Sequence, residues 1–431
     1  MYKSFVNSLK NYQLMNKTLL ALIIILFASC TIQKQYNDDW ASDIDYLQKQ
    51  LPKKHKNLFF KKSRGDFEKE IDSVKNQLSL FTDFEIAVKL QKLIAGFGDS
   101  HTNINWQKYI DKNKVLPLKT YWFKDGIYIL KTTKKNKVLL GKKITSINEI
   151  DIKTIVKKIS TIITVDNSAT IRNSIPELLN SLQLLQFLNI TSDNNPKIEF
   201  ETTSGLKDTA EITIEPMTKQ NTVTVIFKGI AFNYLHERNL FLEKYFDKEK
   251  IYYIQYNKCW SAELEQKYGN KSRVKNLPHF ETFKNRILYI LRNKPVEKLI
   301  FDMRFNSGGS SLQGKRLIEE LAKIEKINQK GKLYVAIGRK TFSSAILNTI
   351  DFMELTNATL IGENTSGMPN HYGEVRHFNL PFSQLRVNYS TKYFNASEND
   401  IKTILPDIKI ELSYSDFIKG IDPVFDWIKR N

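Results

Sequence analysis

The chain has 431 residues, 41% of them apolar and 26% charged, with 17 Gly and 11 Pro. That length accommodates about two or three domains, each with a real core, and the composition excludes a disordered or fibrous chain. The net charge of +19 comes from lysines scattered among Asn and Ile; with no basic stripe interleaved with aromatics, it gives no nucleic-acid partner.

Residues 1–17, MYKSFVNSLKNYQLMNK, are polar and basic, and TLLALIIILFAS follows as an uninterrupted apolar run ending in small residues. This is the layout of a secretory signal peptide, its apolar stretch too short for a comfortable membrane span. The run stops at Cys30. A cysteine directly after Ala-Ser resembles the lipobox of bacterial lipoproteins, although Phe27 stands where Leu is usual. The resemblance implies removal of the leader within residues 1–30, lipidation of Cys30, and a membrane-anchored place in the bacterial cell envelope. The one other cysteine is Cys259, so a mature chain lipidated at Cys30 has no pair for a disulfide.

Residues 31–114 read as a helical region. DWASDIDYLQKQLPKKH and RGDFEKEIDSVKNQLSLFTDFEIAVKLQKLIAG carry apolar residues at three- and four-residue spacing, and the region closes on the loop-like GFGDSHTNINW. Residues 115–215 change character. LPLKTYWFKDGIYILKTTK and PKIEFETTSGLKDTAEITIEP alternate like β-hairpins with KDG and TSG as turns, and VLLGKKITSINEIDIKTIVKKIS between them predicts strand, turn and helix. Residues 216–431 alternate strand and helix: KLIFDMRF, SLQGKRLIEELAKIE, KLYVAIG, SSAILNTIDFMELT and ATLIGE. That spacing predicts an α/β sheet with crossover helices.

Several chemistries find no support. Gly309–Lys315, GSSLQGK, matches part of a phosphate-binding loop, but Arg316 stands where Ser or Thr must hold Mg²⁺. The six histidines, His55, His101, His236, His279, His371 and His377, include no pair at helical i, i+4 spacing, and no metal site is expected. No cofactor is implied. Ser343 and Ser344 stand where a strand gives way to a helix, a place where amide N–H groups point outward unpaired. Serine is also a common helix N-cap, and by itself the pair decides nothing. FDMRFNSGGSS is a second candidate, a strand running into Asn306 and the pair Gly308-Gly309, where a backbone can approach a ligand closely.

Taken in order, GDSHTNI, FDMRFNSGG, VAIGRKTFSSA, ATLIGENTSG and the C-terminal LPDIKI with GIDPVFDWI resemble the S41 peptidases, the tail-specific or C-terminal-processing proteases, over residues 40–431. The resemblance implies a crotonase/ClpP-like α/β catalytic core that hydrolyses peptide bonds of exported proteins or peptides. It makes Ser343 the nucleophile and the backbone of Gly308, Gly309 and Ser344 the oxyanion hole. The lysine that serves as base in the best-known members is replaced by Met368, which excludes a Ser–Lys pair. In the tricorn-like branch the base is the histidine of the DSHT segment, here His101, whose ordinary pKa suits the work. That branch implies an orienting acid before the C-terminal Pro-Asp, for which Glu398 and Asp400 are in range, and a contribution from Ser100. His371, close to Met368 in sequence, is the rival base. LGKKITSINEIDIKTIVKKIS resembles part of a PDZ-like domain with Glu149 where Gly is usual, which implies capture of an extended peptide by strand addition. The alternative is an S41-like binding protein, without catalysis, for peptides or small apolar ligands.

Overall fold

The computed structural model describes Met15, Lys17 and residues 34–431 other than 203. The apolar run of the leader and Cys30 lie outside the described residues.

Residues 34–54 are helical, and Trp40, Ile44, Leu47 and Leu51, three or four residues apart, form one fully buried stripe. Two further helices pack there, Arg64–Lys75 and Asp83–Ala95. Ser63 caps the first by accepting the Asp66 N–H. Thr82 and Glu85 form a reciprocal capping box at the second. The predicted helical region is therefore present, and its ends are set by side-chain oxygens at the unpaired amides.

The middle region builds a seven-stranded sheet. Its main path runs Lys119–Phe123, Gly126–Thr133, Lys143–Ile147, Lys197–Glu201 and Lys207–Glu211, with Ile150–Asp151 and Thr222–Thr224 pairing off that path. Both expected hairpins form, as does the strand, turn and helix that ends in Ile152–Ser160. Two more helices, Ser168–Leu178 and Leu182–Phe187, make the region less purely β than its hairpins suggest.

The third unit is a six-stranded sheet in the order Ile408–Lys409, Thr359–Gly362, Leu333–Ile337, Lys298–Asp302, Ile251–Tyr256, Phe241–Phe246. Every pairing is parallel except the last. Parallel strands need crossovers. Helices Phe280–Asn293, Ser311–Ala322 and Ser344–Leu355 supply them and cover one face, while the C-terminal helix Pro423–Arg430 packs on the other. Burial on both faces explains why Ile251–Tyr256 and Leu333–Ile337 are buried at every position.

One element crosses between units. His371–Asn379 and Arg386–Phe394 form a hairpin, and Arg386–Phe394 also pairs antiparallel with the short strand Asn103–Ile104. Sequence places this hairpin in the catalytic half, yet Leu380, Leu385, Val387 and Tyr389 belong to the apolar core of the N-terminal and middle regions. Its tip is fixed to the first helix, where the Phe382 and Ser383 amides donate to the buried Asp43 carboxylate at 2.7 and 2.8 Å. Chain assigned to the rear half thus reaches forward and grips the segment just after His101.

Candidate active site

Ser343 follows the strand Leu333–Ile337 and precedes the helix Ser344–Leu355. The turn between them is pinned to the neighbouring loop: Thr341 Oγ1 donates to the Met303 carbonyl at 2.8 Å, and the Phe342 N–H to the Asn306 carbonyl at 3.0 Å. Ser343 itself has φ +56° and ψ −126°, a conformation that costs a side-chain-bearing residue about 1–3 kcal/mol. It sits at the N-cap position, but its side chain makes no cap hydrogen bond. A serine placed only to start a helix would do the reverse. The strain aims the hydroxyl away from the helix.

The hydroxyl meets an imidazole. His101 Nε2 lies 3.0 Å from Ser343 Oγ across 242 positions of sequence. The imidazole is buried, and burial, with His371 acting the same way and Asp99 opposing, lowers its pKa to about 4. Above that range the ring is neutral and able to accept a proton. Its other nitrogen, Nδ1, makes no close hydrogen bond among the described residues; Asp99 Oδ1 lies 3.9 Å away, and the Tyr372 backbone also acts on the ring.

Sequence reading assigned Asp99 no role, although the Asp-x-His spacing within GDSHT was its signal. Asp99 Oδ1 accepts the His101 amide at 3.0 Å, closing the loop on itself. Asp99 Oδ2 accepts from His55 Nε2 at 2.9 Å, Thr102 Oγ1 at 2.5 Å and Ser390 Oγ at 2.7 Å. The Asn57 N–H donates to His55 Nδ1 at 3.0 Å, so that ring presents Nε2–H to the carboxylate. Burial alone would raise the Asp99 pKa, but the bonds from His55, Thr102, Ser390 and the His101 amide together hold it below the ordinary value. Ser390 lies on the hairpin and His55 just beyond the first helix. The acid facing His101 is therefore assembled from three distant segments, which no local motif records.

The C-terminal acids lie elsewhere. Glu398 and Asp400 are exposed, Asp400 is bonded to Lys402 at 2.5 Å, and neither bonds His101. The acid nearest the His101 ring is Asp99 rather than one from that stretch. Ser100 Oγ is buried beside the Asp166 carboxylate and makes no close hydrogen bond among the described residues. The Ser100 amide donates to Asp166 Oδ1 at 3.3 Å, and burial pushes that carboxyl up to about 6. Asp166 is a second buried acid at this loop, which the sequence did not flag.

The glycine loop packs against Ser343. Gly308 has φ +93°, and a Cβ there would lie 2.8 Å from Ser343 Cβ and 3.0 Å from the Ser344 nitrogen. Only glycine fits. Its N–H, however, already donates to Asn306 Oδ1 at 2.9 Å, so Gly308 supplies room rather than a free donor. Ser344 Oγ donates to the Gly309 carbonyl at 2.7 Å, tying Gly309 to the start of the helix. His371 does not bond Ser343. It donates Nδ1–H to the Met368 carbonyl at 2.8 Å and stacks on His101. An imidazole, that of His101, stands at the hydroxyl.

Mature CPAF complexed with lactacystin overlaps with a TM-score of 0.58 at 12% identity, over 92% of this chain and 98% of that one. A CPAF mutant crystal structure overlaps at 0.61 and 12% identity, over 92% and 97%. The chain has the fold of CPAF. At that identity the likeness is one of architecture. The tricorn protease overlaps at only 0.41 and 14% identity, over 91% of this chain and 36% of that one, too loosely to bear on the site. No protein-family model matches the sequence, and no curated protein does.

Proposed function

We propose that this protein is a serine peptidase of the S41 type with a Ser–His catalytic pair. The observation that carries the reading is the 3.0 Å approach of His101 Nε2 to Ser343 Oγ, within the distance a general base requires. Ser343 Oγ attacks the peptide carbonyl carbon while its proton passes to Nε2. The negative charge on the carbonyl oxygen is met by the amides of Gly309 and Ser344. The imidazolium then gives its proton to the departing amine, and water releases the acyl group by the same route in reverse. Asp99 faces Nδ1 and stabilises the imidazolium. The strained Ser343 and the imidazole beside it favour this reading over a binding protein of the same fold, which needs neither.

A polypeptide substrate is supported by a cleft of about 880 Å³ lined in part by Asn103, Trp106, Tyr121, Trp122 and Lys340. Neither His101 nor Ser343 lines this cleft; Asn103 and Lys340 stand two and three positions from them in sequence. Lys119–Phe123 ends the strand order of the middle sheet, which suits the PDZ-like reading of 115–215 and pairing with an extended peptide. Lipid attachment at Cys30 and a cell-envelope location belong to the same proposal; incorporation of labelled palmitate should vanish in Cys30→Ala.

The test is covalent labelling by a fluorophosphonate. The wild type should be modified at Ser343, and Ser343→Ala should fold to the same thermal midpoint and take up no label. Peptide hydrolysis surviving in Ser343→Ala would refute the assignment, and a folded wild type that neither labels nor cleaves would favour the binding protein.

A further inference from the structure

Four rings from three chain segments stack in a column through the site. Phe342, next to the nucleophile, lies on His101 with centroids 4.5 Å apart and planes 22° apart. His371 covers the opposite face of the same imidazole at 5.5 Å and 16°. Phe394 backs His371 at 5.2 Å and 21°. His371 and Phe394 are directly paired across the hairpin, so the second half of the column is one rung of a β-ladder.

His371 is itself held. Its Nδ1 meets the Met368 and Pro369 carbonyls at 2.8 and 3.1 Å, which fixes the ring's rotation against its own loop. Gly373 leaves room for the rung, since a Cβ there would come within 3.1 Å of the Phe394 ring and 3.6 Å of His371 Cδ2. His101, by contrast, makes no close hydrogen bond at Nδ1 among the described residues; the Asp99 carboxylate at long range and the Tyr372 backbone are its weaker contacts. One ring nitrogen toward Ser343 does not fix the plane of an imidazole. Its two stacked neighbours do.

Resting on the Ser343–His101 reading, we propose that His371 is a positioning residue: with Phe342 it clamps the His101 imidazole and holds Nε2 on the line to Ser343 Oγ. His371 exchanges no proton with substrate. A flat ring is the needed property, because a misplacement of about 1 Å at a reacting group costs up to about 100-fold in rate, and a freely turning imidazole is misplaced by that much.

The experiment measures fluorophosphonate labelling of Ser343 at neutral pH in the full-length protein, resolving the inactivation rate constant kinact from the affinity KI. Thermal midpoints of each variant are recorded alongside. His371→Ala opens one face of the base and should lower kinact about 10- to 100-fold with KI within about twofold of wild type. His371→Phe restores a stacking ring without the titratable nitrogens and should recover most of that loss. A role confined to stability would lower the thermal midpoint without separating kinact from KI. His371→Ala labelling at the wild-type rate overturns the proposal, and so does His371→Phe no faster than His371→Ala when both are folded. Absence of labelling in the wild type would instead strike the peptidase reading itself, so the two failures are distinguishable. Gly373→Ala, which crowds the rung from a position that touches neither reacting residue, should lower kinact in the same direction by a smaller factor; a folded Gly373→Ala with unchanged kinact counts against the column.

Discussion

The two groups proposed to react are built by opposite means. Ser343 sits at a strand–helix junction inside one continuous α/β stretch, and nearly everything that shapes it lies between residues 303 and 345: the Met303 and Asn306 carbonyls, Gly308, Thr341 and the helix that follows. His101 depends on the whole chain. Its loop is held through Asp99 by His55 and Ser390, its next strand by Arg386–Phe394, and its ring by Phe342 and His371. A nucleophile that needs strain is made locally, where a sharp turn can be enforced by neighbours in sequence. A base that needs only position is delivered by tertiary structure.

Loss of the base breaks this comparison most severely. His101→Ala should lower the labelling rate of Ser343 by about 10²- to 10⁴-fold while leaving the thermal midpoint nearly unchanged, because the strained turn does not rely on the imidazole. Labelling within tenfold of wild type would point to a different base.

Asp99→Asn comes next. It keeps the shape but removes the negative charge that faces His101 Nδ1 and gathers donors from His55, Thr102 and Ser390. The expected result is a drop of about 100-fold in rate together with a stability loss of about 3 kcal/mol, because buried donors are left poorly matched. Urea denaturation and labelling of the same variant measure the two effects. Glu398→Gln and Asp400→Asn, both exposed, should change neither.

Acid then separates the base from an ordinary histidine. With the His101 pKa lowered to about 4, labelling should persist at about pH 5.5, where an unperturbed imidazole would have lost about nine-tenths of its neutral form. The linked effect on folding has a definite sign. The unfolded chain takes up its proton near 6.5 and the folded one near 4, so this contribution to stability is complete above 6.5 and is lost as pH falls toward 4. An acid limb of the labelling rate centred near 6.5 would overturn the assignment of a desolvated base.

The smallest effect sharpens the contrast. Leu385 in the hairpin and Leu321 on the crossover helix are both buried, in different cores. Truncation of either to Ala should cost about 2–5 kcal/mol. At temperatures where both variants are folded, Leu385→Ala should label about threefold more slowly than Leu321→Ala, because only the hairpin supports His101. Equal rates would mean that the hairpin is passive.

Much of the catalytic half was legible because its determinants are close in sequence. The strands KLIFDMRF and KLYVAIG, the glycine pair and the serine at a helix start are contiguous patterns governed by periodicity and turn chemistry. The acid that faces His101 was not legible. Proximity to the C-terminal motif suggested Glu398 and Asp400, whereas the carboxylate that faces His101 is Asp99, two residues before it. Nothing in GDSHT reveals that His55 and Ser390 converge on that carboxylate, since they lie 44 and 291 positions away. The hairpin was missed for a related reason: its apolar residues serve a core built mostly from the front half of the chain.

Sequence alone determined the local chemistry: a helix-forming front, a parallel sheet written as continuous apolar runs, and a serine at a turn that only glycine neighbours allow. These follow from backbone geometry and side-chain periodicity over a few residues. Tertiary structure decided which imidazole meets that serine, which acid faces the imidazole, and which rings hold it flat. Those outcomes depend on strand pairing and burial across hundreds of positions, where the partner is chosen by the shape and hydrogen-bonding needs of the assembled core.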